Sequence, residues 1–262
     1  MKRAGIKLLA LLSLAAVCPT AALAQDGLVR ISVGAAQTDY SIKFDALAPA
    51  AGALGTYKNK TAKSEYTATS LGLTLISGKG LYFDVTGTQS GSATHDLWAT
   101  ITPATKDEFS HDSITATLGF VQVFPAGGSL SGFMGYRKGE TELAAPKPPS
   151  TFSRDTFESQ GVFFGMGGGF PALGGSINMS GAIAFMSGKW TDDAGFYSEA
   201  DYTFGYSFGV GYTYRIGKAW AVTLDYRYQL YSYSFGIYTA NTPDYDVTEK
   251  ISAVGLKISG QF

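Results

Sequence analysis

The segment between Tyr202 and Tyr214 constrains the fold more than any other part of the sequence. Large residues occupy every second position: Tyr202, Phe204, Tyr206, Phe208, Val210, Tyr212 and Tyr214. Glycine, serine or threonine fills each position between them. Because side chains of a β-strand alternate between its two faces, this strand has one aromatic face and one small, polar face. Seven successive large residues suit a wall that faces lipid, with tyrosines at the membrane boundaries.

The same alternation recurs along the chain. The next strand sets Trp220, Leu224 and Tyr226 against Asp225 and Arg227, so the small-residue face also carries charge. Eight weaker segments begin near Val29, Leu71, Leu81, Ile114, Leu130, Val162, Ile177 and Val254. The sequence therefore predicts an all-β fold. We expect a transmembrane antiparallel up-and-down β-barrel of ten strands, with eight or twelve as alternatives.

The connections between these segments are of two kinds. Four are tight turns rich in glycine and proline, at 77–80, 124–128, 171–174 and 215–218. Five are longer and polar, at 38–64, 91–110, 141–158, 188–200 and 236–246. The two kinds alternate along the chain. Bacterial barrels have this pattern, with short turns in the periplasm and long loops outside the cell.

The N-terminus has the pattern of a secretory signal peptide. Basic residues precede an apolar core at 8–17, and the small residues of Ala22-Leu23-Ala24 give a cleavage site. We expect a signal peptide at 1–24 and one barrel domain at 25–262.

Loss of the leader removes the only cysteine, so the mature chain has no thiolate metal ligand or nucleophile. It also leaves 17 basic and 21 acidic residues, and this balance does not point to nucleic acid. We expect no cofactor and no metal site.

The C-terminal strand carries the signal most typical of one class of protein. Val254, Leu256, Ile258 and Phe262 share a face, and the chain ends on the aromatic residue. This end resembles the terminal signal by which outer-membrane β-barrels are recognised for assembly. The resemblance to that Gram-negative superfamily covers the mature chain. It implies location in the cell outer membrane, insertion by the barrel assembly machinery, and contact with membrane lipid and lipopolysaccharide. We expect a monomer.

Charged residues in the inward-facing phase form the first candidate site. They are Arg30, Asp84, Arg137, Asp225, Arg227 and Lys257. A regular hairpin around 236–246 would place Asp225 opposite Lys257, and Trp220 opposite Phe262. Such charges must pair or be hydrated. Because ten strands enclose little more than eight, whose side chains fill the interior, we expect a closed or narrow lumen.

The outer side of the predicted barrel carries two further sets of candidate residues. Lys58, Lys60 and Lys63 are expected to meet lipopolysaccharide phosphates. His95 and His111 each precede an aspartate, and we expect both to be solvated on the outer side. Ten-stranded barrels include the omptins, surface proteases with Asp and His at the rim. The second acidic pair and the Asp-x-His placement of that family are not evident, so no catalytic residue is assigned.

Three hypotheses for function remain. The first is a structural or surface-binding barrel, as in adhesins and the OmpA-like or opacity-like proteins. The second is a small porin for small polar solutes or ions, which bilayer conductance would reveal. The third is an omptin-like surface protease, which would lose peptide cleavage on His111→Ala or His95→Ala.

Overall fold

The computed structural model describes residues 27–46, 61–95, 107–125, 127–147, 151–191, 195, 197–235 and 245–262. The predicted signal peptide, Lys58 and Lys60 lie outside these residues. Among the described residues, no helix is long and apolar enough to cross a membrane.

The described residues form one antiparallel sheet of eleven β-segments. Their bounds are β1 (Gly27–Ala46), β2 (Thr61–Ser77), β3 (Leu81–Ser90), β4 (Ala93–His95), β5 (Asp107–Val123), β6 (Ser129–Lys147), β7 (Thr151–Ala172), β8 (Gly175–Thr191), β9 (Tyr197–Ile216), β10 (Trp220–Phe235) and β11 (Tyr245–Gln261). Segment β4 continues β3 after a break at Gly91-Ser92, and both pair with β5. The eleven segments therefore occupy ten positions, and the predicted ten-stranded architecture is confirmed.

The sheet closes on itself. Strand β1 pairs with both β2 and β11, and β3 pairs with β5. Following directly paired residues once around the ring from Arg30 returns to β1 at Ile42, a stagger of twelve residues. A stagger of this kind requires the strands to tilt against the barrel axis. The backbone groups of each strand are thus paired on both sides, as a membrane interior demands.

Most strands are longer than the sequence pattern predicted. Nine of the eleven segments have 16 to 22 residues, whereas a tilted strand crosses a bilayer with about 9–11. The connections expected at 38–64, 91–110, 141–158, 188–200 and 236–246 shrink accordingly. The stretches between described strands are 47–60, 96–106, 148–150, 192–196 and 236–244. The third and fourth, of three and five residues, are no longer than the turns at the other end, where 124–128 also has five residues, so the predicted contrast fails at both.

Large apolar side chains surround the barrel near the short turns. We call this band the apolar belt. Its exposed residues include Ile31, Val33, Leu81, Phe83, Leu118, Phe120, Met134, Phe164, Met166, Met179, Ile183, Phe208, Leu224, Val254, Leu256 and Ile258. Tyr136 and Tyr206 lie at its outer edge, and Trp220 and Phe262 lie at its inner edge. Aromatic residues at both boundaries are typical of membrane barrels.

Above the apolar belt the outward face of the wall becomes polar and the inward face becomes apolar. There the outward side chains are charged, as in Lys43, Glu65, Lys138 and Glu158. The inward side chains are buried and mostly aromatic. This interior, which we call the plug, includes Tyr40, Ile42, Phe44, Tyr66, Phe109, Leu143, Phe157, Met186, Trp190, Tyr231, Tyr233, Phe235 and Val247. The outer half of the barrel is therefore built like a water-soluble protein.

The predicted pairing of β10 with β11 is wrong by two residues. Asp225 lies opposite Gly255 instead of Lys257, and Trp220 lies opposite Gly260 instead of Phe262. Gly260 makes room for the indole, since a Cβ atom there would lie 3.1 Å from Trp220 Cζ3. A shift of two keeps every side chain on its predicted face.

Glycines on the inward face receive aromatic rings from neighbouring strands. A Cβ atom at Gly165 would lie 2.4 Å from Phe133, and one at Gly205 would lie 2.3 Å from Tyr231. In the glycine run of β7, Gly165 is therefore packing space for a ring, whereas Gly167 and Gly169 lie against short polar side chains.

We predict that Leu256→Arg, at an exposed belt position, lowers the free energy of unfolding in phospholipid vesicles. The expected loss is about 2–4 kcal/mol, the cost of an arginine on the lipid face near the bilayer centre. Equilibrium unfolding in guanidinium chloride measures it. Thr248→Arg is the matched control, because Thr248 faces outward on the same strand above the belt. An equal loss of unfolding free energy in both variants would contradict the placement of the apolar belt in the bilayer.

Candidate functional site

Six polar side chains meet inside the plug. They are Tyr40 from β1, His111 from β5, Arg137 and Thr141 from β6, Tyr233 from β10 and Glu249 from β11. We call them the polar cluster. All six are buried, and Glu249 is 0 % exposed. The outward neighbours of Glu249 are Thr248 and Lys250, so the cluster lies above the apolar belt.

Hydrogen bonds organise the polar cluster into a chain of four residues and a pair. Arg137 Nη2 lies 3.3 Å from His111 Nε2, and His111 Nδ1 lies 2.8 Å from Thr141 Oγ1. Thr141 Oγ1 is in turn 3.0 Å from the hydroxyl of Tyr40. The pair joins Tyr233, whose hydroxyl donates to Glu249 Oε2 over 3.0 Å.

The chain of hydrogen bonds fixes the protonation state of His111. A guanidinium can only donate, so Nε2 accepts and Nδ1–H donates to Thr141. Burial, together with the charge of Arg137, lowers the pKa of His111 to about 3. The ring is therefore neutral at physiological pH, in agreement with the hydrogen bonds.

Glu249 and Arg137 are buried opposite charges from strands that are not neighbours. Burial raises the pKa of Glu249, while Arg137, Tyr233 and Tyr40 oppose that shift. The Arg137 guanidinium lies 5.1 Å from the centre of the Tyr231 ring. Charges in such surroundings must be compensated, so the cluster links β1, β5, β6, β10 and β11 through the barrel interior.

Rings from opposite walls interlock around the polar cluster. Phe44 of β1 lies 5.1 Å from Trp190 of β8, edge to face. Tyr40 of β1 lies 5.1 Å from Phe109 of β5. Phe157 of β7 lies 5.1 Å from Tyr233 of β10, again edge to face. None of these strand pairs are neighbours in the sheet, so the contacts cross the lumen.

The interior below the plug is polar. It contains five of the six predicted lumen charges, whereas Arg137 belongs to the plug boundary. Asp225 and Arg227 are 3.9 Å apart, and Asp84 accepts hydrogen bonds from Thr74 at 2.7 Å and Thr86 at 3.1 Å. Among the described residues, Arg30 and Lys257 form no ion pair. From the sequence, these charges were expected either to pair with one another or to be hydrated. The structure shows hydrogen bonds between threonine and carboxylate groups, and one long ion pair.

The other candidate residues fall on the outer wall. Val254, Leu256, Ile258 and Phe262 are exposed on the belt face of β11 and beyond its end. Lys63 is exposed on β2 and is not in a loop, because β2 already begins at Thr61.

Both histidines were placed wrongly by the sequence interpretation. His95 and His111 are 7 % and 4 % exposed and belong to β4 and β5, where solvated outer residues were expected. The strands continue beyond the membrane boundary, and the inward-facing side chains of that part, both histidines included, are buried at the plug.

Four members of the polar cluster were not singled out from the sequence: Tyr40, Thr141, Tyr233 and Glu249. The signal was available, because residues 249, 251, 253, 255 and 257 share one phase of β11. Glu249 therefore points inward if β11 extends as far as residue 249. The sequence did not indicate that the strand is this long.

We predict that His111→Gln removes a pH-dependent part of the stability. Between pH 3 and 6.5, His111 is protonated in the unfolded chain and neutral in the native state. The free energy of unfolding therefore rises with pH over this range. The stability difference between wild type and variant should grow by about 1.4 kcal/mol for each pH unit from 4 to 6. Urea unfolding in vesicles at fixed pH measures it. The difference should be flat above pH 7, and a constant difference from pH 4 to 6 would refute the assignment.

Comparison with known proteins identifies the fold. No protein-family model matches the sequence, and no curated protein matches it. Among solved structures, the outer membrane protease OmpT from Escherichia coli superposes with a TM-score of 0.60 at 10% identity, over 91% of this chain and 97% of that chain. The translocator domain of the autotransporter NalP from Neisseria meningitidis has a TM-score of 0.46 at 11% identity, over 99% and 96%. The Neisserial surface protein NspA has a TM-score of 0.36 at 12% identity, over 89% and 97%.

These relationships are too distant in sequence to transfer an activity. The superposition on OmpT agrees with the closed ring of strands. The apolar belt needs lipid around the barrel. The chain therefore has the β-barrel fold of the OmpT structure, and its apolar belt faces the lipid of a membrane.

Proposed function

We propose that this protein is a non-conducting barrel with a structural or surface-binding role through its extracellular side. The observation that carries the proposal is the plug. Ile42, Leu143, Tyr233 and Phe235 are each 0 % exposed, although they point into what would be the channel. A lumen that is filled to this degree leaves the outer surface as the part that can act.

The packing of the plug supports closure over the full cross-section. Every one of the ten strand positions contributes at least one buried inward side chain. Cross-lumen ring contacts of about 5–6 Å between centres are typical of packed aromatic pairs. Packing of this kind, over the described part of the chain, supports a lumen that is closed to water and ions.

A small porin is the weaker alternative. The polar lower lumen would suit solutes, but it ends at the plug. Ten strands give little interior beyond what side chains fill, and open aqueous channels occur at about sixteen.

An omptin-like protease is also less well supported. A histidine that activates water must reach the substrate. His111 is buried, bonded to Arg137 and Thr141, and held neutral with a pKa far below its usual range. His95 is buried too. Cleavage of surface-exposed peptides that His111→Ala or His95→Ala abolishes would contradict a non-enzymatic role.

The outer wall above the belt has the chemistry of a surface that meets charged partners. It carries exposed ion pairs, including Lys43–Asp45 at 2.7 Å and Arg154–Glu142 at 2.8 Å. Lys63 is exposed on the same wall, and Lys58 and Lys60 precede β2 in the sequence. Lysine ammonium groups bind phosphate as point charges. We propose lipopolysaccharide phosphates as their partner.

We predict that the purified protein gives no nanosiemens-scale steps in planar lipid bilayers, because the plug blocks ion flow. The double variant Phe157→Ala/Tyr233→Ala removes two fully buried rings in mutual contact and should conduct. Belt variants such as Leu256→Ala serve as controls and should give no conductance steps. Large, steady steps from the wild type would refute the closed lumen.

We predict that the triple variant Lys58→Gln/Lys60→Gln/Lys63→Gln binds lipopolysaccharide more weakly. An exposed charge pair contributes roughly 0.2–1 kcal/mol, so the loss should be a few-fold for each lysine. Binding to lipopolysaccharide-containing liposomes at low salt measures it. The control is Lys79→Gln, which changes an exposed lysine in the turn at the opposite end. Unchanged binding in the triple variant would exclude these lysines as contacts.

A further inference from the structure

A cavity lies inside the barrel directly below the plug, on the side of the short turns. Small inward residues leave the space open, among them Gly34, Ala36, Ala68, Ala253 and Gly255. About 90 Å³ of it is accessible to the centres of water molecules. One water needs roughly 10–15 Å³ on this measure, so the cavity has room for a group of several non-hydrogen atoms.

The charged groups that line this cavity are mostly cationic. They are Arg137, Arg227 and Lys257 against the single carboxylate of Asp225. Asp225 lies 3.9 Å from Arg227, its neighbour two residues along β10. Within the described part of the chain, no carboxylate forms an ion pair with Arg137 or Lys257. Counted over the lining residues alone, the cavity has an excess of positive charge, and Glu249 in the plug above offsets part of the charge of Arg137.

Arg137 provides the second, independent observation. Its side chain is buried at 4 % exposure and lines the top of the cavity. Nη2 is bonded to His111, and the Tyr231 ring lies against the guanidinium. Nη1 has no hydrogen-bond partner among the described residues. An unsatisfied donor on a buried cation is costly, and a ligand oxygen would remove that cost.

Hydroxyl groups complete the lining. Ser70, Thr86, Thr88 and Ser113 face the same cavity from β2, β3 and β5. A guanidinium, an ammonium and several hydroxyls are the donors that bind carboxylate and phosphate groups in proteins.

We propose that this cavity binds a small oxyanion, a carboxylate or phosphate group, in the space that Arg137 and Lys257 both line. The plug forms its roof, and the barrel wall shields it from lipid. The site does not depend on the extracellular role proposed above, since a closed roof is compatible with either a bound solute or none.

The two histidines of the sequence make the test direct. Protein labelled with ¹³C-histidine and held in detergent micelles gives two ring signals, which His95→Gln assigns. His111 lines the cavity, whereas His95 does not. Titration with inorganic phosphate, and separately with acetate, should shift the His111 signal to saturation and leave His95 in place. Sodium chloride at matched ionic strength should cause no saturable shift.

Three variants locate the bound anion. Lys257→Gln should weaken binding at least tenfold, and Arg137→Gln should abolish it. Lys250→Gln is the matched control on β11, exposed on the outer wall, and should bind as the wild type does. Lys257→Gln leaves the Arg137–His111 contact intact, so it decides the matter even where Arg137→Gln does not fold. An immobile His111 signal, a shift equal to that in chloride, or wild-type binding by Lys257→Gln would overturn the proposal.

Discussion

The fixed phase of side chains along a strand governs this whole molecule. A residue that points inward at the end with the short turns forces every second residue after it to point inward as well. The strands pass from lipid into water without changing phase, so the chemistry of each face has to change instead. Leu256 and Lys250 show this on β11, where both face outward, one on the belt and one above it. Lys257 and Val247 show the opposite change on the inward face, from charged to apolar.

The plug follows from that exchange. Above the lipid, the charged outer face is stabilised by water, and the inner face has to exclude water as any protein core does. Apolar side chains from nine of the ten strand positions therefore fill the interior, and Gly188 and Gly205 leave space for the rings of Tyr233 and Tyr231. The polar cluster is the exception within this core. Four of its side chains are joined in series by hydrogen bonds and the remaining two form a pair, but Arg137 Nη1 and Glu249 Oε1 have no hydrogen-bond partner among the described residues.

Much of the barrel could be predicted from the sequence, and the reasons for the failures are physical. Periodicity of two identifies which face meets lipid, since the belt residues are large and unbroken from Tyr206 to Tyr214. It cannot identify where a strand ends when the outside environment changes, because a polar outward face in water looks like a loop. The histidines were misplaced for this reason. The register of β10 and β11 failed because it depends on how the ring of Trp220 packs on Gly260, which no hairpin rule contains.

The contacts across the lumen also support the seam between β1 and β11, the strands at the two ends of the described chain. Phe44 of β1 packs on Trp190 of β8, although these two strands are not neighbours in the sheet. Opening the seam would free one edge of β1 and would draw Phe44 away from Trp190. The seam is therefore held by its own ladder of hydrogen bonds and also by ring contacts on the far side of the lumen.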